Sequence, residues 1–170
     1  MLIVALNIIP TLILAIVLYV RSKTFKVDLL KLDKSAFDDI FYSFCISIIG
    51  FNILTSLSSL FITSSQTQQP DIRTPMMYIY AVLFSPIIEE LICRKFLLIK
   101  INRYINWWIS AIISSLIFSF LHFSQVGFIG YTFIGMVWCY YYRKSDNILV
   151  PILSHFLFNY IAILIQSLKG

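Results

Sequence analysis

The sequence predicts an all-α fold, a polytopic membrane bundle of about six transmembrane helices forming a single embedded domain over residues 1–170. Three observations carry that expectation. Hydrophobic residues make up 59% of the chain and charged residues only 12%, with a mean hydropathy of +0.87, whereas a soluble domain is roughly a quarter charged. The apolar residues fall in runs of about 17 to 25, long enough to cross a hydrocarbon core of roughly 30 Å as helices. The basic residues gather in alternate connections between those runs, as the positive-inside rule requires of a multi-pass protein.

The first run, 2–20, has no Lys or Arg ahead of it and no small-residue cleavage site. It therefore reads as a retained span and not as a signal peptide. Further spans are expected at 38–62, 75–99, 106–122, 126–142 and 147–167. The first connection carries Arg21, Lys23, Lys26, Lys31 and Lys34, the third Lys100 and Arg103, and the fifth Arg143 and Lys144. The opposite side holds only Arg73 and Lys169. Odd connections would then face the cytoplasm and both termini the outside, in a bacterial plasma membrane. Trp107-Trp108 and Tyr140-Tyr141-Tyr142 lie at span ends, where aromatic belts form. Cys45, Cys93 and Cys139 each lie in a different span, which gives no disulfide framework and suggests packing. The net charge of +5 belongs to the connections, and neither a motif nor a basic face supports a nucleic-acid partner.

The two glutamates and two histidines of the whole chain all lie inside these spans. An ionisable group in the bilayer interior is costly and marks a site by default. In Pro86-Ile87-Ile88-Glu89-Glu90-Leu91-Ile92-Cys93-Arg94, Glu90 and Arg94 are four residues apart and can pair on one helical face. Glu89 points about 100° away from that face and has no evident local partner. It is left as the acid suited to shuttle a proton near neutral pH. Pro86 removes the helix bond to the Val82 carbonyl, a break tolerated where it meets protein or a water-lined cavity. His122 closes the fourth span. His155 stands four residues before Asn159 in the sixth, on the same face. Counted at 1.5 Å per residue from the expected cytoplasmic ends, Glu89, His122 and His155 lie at depths of about 16, 24 and 12 Å, so meeting requires tilt or staggered helix starts. Ser85, Ser114, Ser115, Ser119 and Ser154 read as packing or cavity-lining residues.

Glu-Glu-x-x-x-Arg, Phe-x-x-x-His and His-x-x-x-Asn, in this order on three spans, resemble the CPBP family of CAAX-protease and bacteriocin-processing membrane proteins. The likeness covers about residues 75–162, including the approach Asp146-Asn147-Ile148-Leu149-Val150-Pro151 to the last motif. The resemblance implies an intramembrane endopeptidase acting on a membrane-associated peptide or protein. Carried over by position, Glu89 would activate water with His122 assisting, His155 and Asn159 would stabilise the oxyanion, and Glu90 with Arg94 would support the site. No cofactor is required on that reading, although a divalent metal such as zinc is possible; if present it would be held by Glu89, His122 and His155. Two other classes stay open at this point: a non-catalytic membrane immunity or binding protein, and a proton-coupled carrier using Glu and His as a relay.

Overall fold

A computed structural model of the chain describes residues 32–62 and 75–169, and every element among them is helical. The expected span at 2–20 lies outside the described residues. Helix α1 is Lys34–Ser59, opened by Asp33, whose side chain accepts from the Ala36 amide at 2.9 Å. Helix α2 runs continuously over Pro75–Asn102. Helix α3, Trp107–Phe120, starts on Asn106, whose side chain accepts from the Ile109 amide. Helix α4 is Phe128–Ser145 and stops at Asp146, which adopts a left-handed conformation with φ 49°. Helix α5, Leu149–Lys169, is started by the Asn147 side chain accepting from the Leu149 amide. Side-chain oxygens thus take up amides that the first turn of a helix leaves free.

Helices α1, α2 and α5 are long and apolar enough to cross a membrane. The fourth expected span is shorter than the sequence suggests: α3 has 14 residues, about 21 Å of helix, and ends before His122. Between α3 and α4 the chain turns through Leu121–Gly127, with Phe123 at φ 48° and the Ser124 hydroxyl accepting from the Gly127 amide.

The bundle is apolar outside and buries a set of polar side chains among its apolar core. Phe37, Phe41, Ile46, Ile49 and Ile53 of α1 are exposed, while Ser43, Ser47, Ser114, Ser115, Ser119 and Ser154 are buried. That inversion suits a lipid surround, where helix association depends on close backbone approach and internal hydrogen bonds instead of apolar burial. Helix α4 sits centrally against α1 and α3. A methyl group on Gly50 would lie 2.1 Å from the Phe133 ring, and one on Gly130 would lie 2.8 Å from Phe51. Each helix of the α1–α4 crossing therefore seats a phenylalanine on a glycine of the other. On α3, Ser114 bridges to the Cys93 carbonyl of α2 at 2.8 Å. Of the tyrosines read as an interfacial belt, Tyr140 is exposed but Tyr141 and Tyr142 are buried. Tyr141 faces α1 and joins Ala36, Ile40 and Val150 in one apolar cluster, whereas Tyr142 packs on the other side of α4 with Leu98, Ala111 and Ile152.

Candidate active site

Helix α2 is irregular where the acids stand. It leaves the α register over Tyr80–Phe84, returns to it for Ser85–Glu90, and is a π-helix again over Leu91–Leu98. Such bulges are rare in helices and concentrate at functional sites. In the first one the Ser85 amide reaches back five residues to the Tyr80 carbonyl. Continued by one step, the same register would bond residue 86 to Ala81, and proline has no N–H to give. In that register Pro86 leaves the Ala81 carbonyl without a backbone partner, next to the Val82 carbonyl that an α register implies. The Asn159 side-chain amide donates to the Ala81 carbonyl at 2.9 Å from α5.

Glu90 and Arg94 form the expected pair, with Glu90 Oε2 3.1 Å from Arg94 Nε and neither side chain exposed. Arg94 also donates from Nη2 to the Gly135 carbonyl at 3.2 Å and lies over the Phe118 ring, 4.6 Å from its centroid. The other oxygen of Glu90 accepts from His155 Nδ1 at 2.9 Å. One carboxylate thus ties α2 to α5 while Arg94 ties it to α4.

Glu89 is differently placed. Its Oε1 accepts a hydrogen bond from the Ser85 hydroxyl one turn earlier, a local partner that sequence reasoning missed. The four-residue spacing was the signal, but it was read as packing. Its Oε2 stands 3.9 Å from His122 Nε2 and 3.9 Å from His155 Nε2, and this buried atom has no hydrogen-bond partner. The three residues that looked badly matched in depth therefore meet. Helix α3 delivers His122 from the turn just past its C-terminus, and α5 delivers His155 from its second turn.

Both imidazoles are anchored at the far nitrogen. His122 Nδ1 lies 2.9 Å from the Phe118 carbonyl, which can only accept, so Nδ1 carries the hydrogen. His155 Nδ1 faces Glu90, held as an acceptor by Arg94. In the neutral rings each Nε2 then presents a lone pair toward Glu89. Glu89 and His122 are about a quarter exposed, whereas His155 and Glu90 are sealed off, at 2% and 0%. The first two are open to water, and the second two are enclosed. Asn159, one turn beyond His155 on α5, meets α2 at Ala81 and gives one amide N–H to its carbonyl.

The donor set of Glu89, His122 and His155 is one zinc takes, and Nδ1 bonds to a carboxylate or carbonyl are what ligating histidines carry. The spacing is looser than a closed shell. Bonds of about 2.0–2.2 Å place neighbouring tetrahedral ligands about 3.4 Å apart, against 3.9 Å here. No group of three His, Cys, Asp or Glu among the described residues is close enough to hold a metal as it stands.

Residues 71–161 match the profile of the family described as "Type II CAAX prenyl endopeptidase Rce1-like". The chain is also similar to a protein of Bacillus subtilis (strain 168) named "Putative membrane peptidase YdiL", at 30% identity over 92 residues. That match covers 54% of this chain and 38% of the relative, so the chain spans about two fifths of that protein. No solved structure matches.

Proposed function

The chain belongs to the Type II CAAX prenyl endopeptidase Rce1-like family, the group the three motifs resemble, and from that premise we propose that it is an intramembrane endopeptidase. One observation carries the reading: Glu89 Oε2 faces both histidine Nε2 atoms at 3.9 Å, with each imidazole anchored behind. A water molecule resting over these atoms is held by acceptors alone, so its oxygen lone pairs remain free to attack. Glu89 takes a proton from it as the oxygen bonds to the scissile carbonyl carbon, and His122 shares the proton. The carbonyl oxygen becomes an oxyanion, toward which the second N–H of the Asn159 amide donates, as does His155 once Glu89 relays the proton taken from the water to its Nε2. When the tetrahedral species collapses, the C–N bond breaks and Glu89 returns the proton to the departing amine. Glu90 and Arg94 supply no proton; they hold His155.

The substrate on this reading is a membrane-associated peptide or protein. The protein sits in the bacterial plasma membrane with six spans and both termini outward, and serves peptide processing or self-protection against bacteriocins. Cleavage of a membrane-peptide library by purified protein in liposomes tests the chemistry. Glu89→Gln and His122→Ala each lower turnover by at least about 100-fold while the fold is kept; cleavage retained by both variants overturns the mechanism.

A second reading is favoured by the fact that the three facing atoms are all acceptors. A divalent ion held by Glu89, His122 and His155 would supply Lewis acidity at the same point. Metal content of the purified protein, with loss of cleavage on chelation and its return with zinc, separates the two.

A further inference from the structure

Helix α4 contributes none of the residues given chemistry above, yet two of its rings touch both histidines. Tyr131 lies face to face with His122, with centroids 4.0 Å apart and planes at 26°. Trp138, seven residues on, does the same to His155 at 4.1 Å and 22°. Seven residues are close to two turns, so both rings stand on one side of α4. Each is fixed in turn. Phe51 of α1 meets Tyr131 edge-on at 4.9 Å, and Phe118 lies edge-on to Trp138 at 5.6 Å. The indole Nε1 of Trp138 donates to the Ser154 hydroxyl at 3.2 Å, which donates onward to Ser43 at 3.0 Å.

A hydrogen bond at Nδ1 fixes one corner of an imidazole but leaves the ring free to swing about that corner. A stacked neighbour fixes its plane, and corner and plane together fix where Nε2 points. We infer that Tyr131 and Trp138 are positioning residues, holding the planes of His122 and His155 so that both Nε2 atoms stay on Glu89. The inference rests on reading that cluster as the hydrolytic centre. Tyr131 has the larger task, because His122 sits on a turn and is about a quarter exposed, whereas His155 is enclosed within α5.

The test combines a spectroscopic and a kinetic measurement. The protein has two histidines, so ring-labelled histidine gives two resonances by nuclear magnetic resonance, each moved by the ring current of its stacked neighbour. Tyr131→Leu is expected to shift the His122 signal and leave that of His155, and Tyr131→Phe to leave both in place. In library cleavage, Tyr131→Leu lowers kcat by about 10- to 100-fold with KM unchanged, as a misplaced catalytic group does. Tyr131→Phe restores it, which a loss of the hydroxyl or of general stability would not allow. Trp138→Phe keeps a stacked ring but loses the bond to Ser154, so the His155 resonance moves only by the difference between an indole and a phenyl ring current, and kcat falls less than in Tyr131→Leu. A His122 signal unmoved in Tyr131→Leu overturns the inference, as does wild-type kcat in that variant. If Glu89→Gln cleaves normally while the signal moves as expected, the hydrolytic reading fails and the seating of the imidazoles stands.

Discussion

Arg94 and Glu90 are both fully enclosed, so neither can turn to water if its partner is lost. Arg94→Met leaves a buried carboxylate with only His155 to meet it, and is expected to lower stability by about 3–5 kcal/mol. Replacing both, as Glu90→Leu with Arg94→Met, removes the unpaired charge and costs less than either single change. Reversible unfolding in detergent micelles, followed over the four proteins, reads that coupling; additive losses would show that the pair is not a unit. The sequence announced this pair by its four-residue spacing. It could not announce that His155 completes it, because a contact across 65 positions has no local signature. The same limit explains Tyr131 and Trp138, which look like ordinary apolar-helix aromatics until α4 is laid beside α3 and α5.

Helix α2 carries the first of its two irregular stretches where a partner helix meets it. The sequence located the break at Pro86 and pointed to the Val82 carbonyl; the carbonyl that a partner helix meets is its neighbour Ala81, where the backbone is wound more loosely. Asn159 donates to the Ala81 carbonyl, and Asn159→Ala strands that acceptor at a cost of about 1–3 kcal/mol. Pro86→Ala restores an N–H able to reach it. The double variant is therefore expected to recover most of the stability lost in Asn159→Ala. Cleavage separates the two duties of the side chain. If Asn159 also donates to the oxyanion, the double variant melts near the wild type yet stays slow; if activity returns with stability, Asn159 acts only on the helix.

At the scale of the whole molecule, the connections that carry basic residues gather at one end among the described residues. Lys144 at the end of α4 meets Asp39 near the start of α1 at 2.5 Å, and Arg143 lies over Trp107 at the start of α3, 4.6 Å from its ring centroid. The end of α2 is joined to that same start of α3 by only Arg103–Asn106. This arrangement was legible in the sequence because it depends on charge and hydrophobic run length, which need no tertiary contact. Helix length was less legible, since the apolar stretch at 106–122 continues through the turn after Phe120. At about 21 Å, α3 is shorter than a hydrocarbon core of roughly 30 Å, and whether it counts as a span depends on how close its far turn comes to the opposite surface. The cysteines are free, so a cysteine-free background can carry a single reporter at Arg103 or at Gln125, both exposed. Six spans require a membrane-impermeant maleimide to reach Arg103→Cys only from the cytoplasmic side and Gln125→Cys only from the outside. Labelling of both from one side, or of Gln125→Cys from neither, would make α3 and α4 a re-entrant pair, with His122 delivered to the site from a turn inside the bilayer.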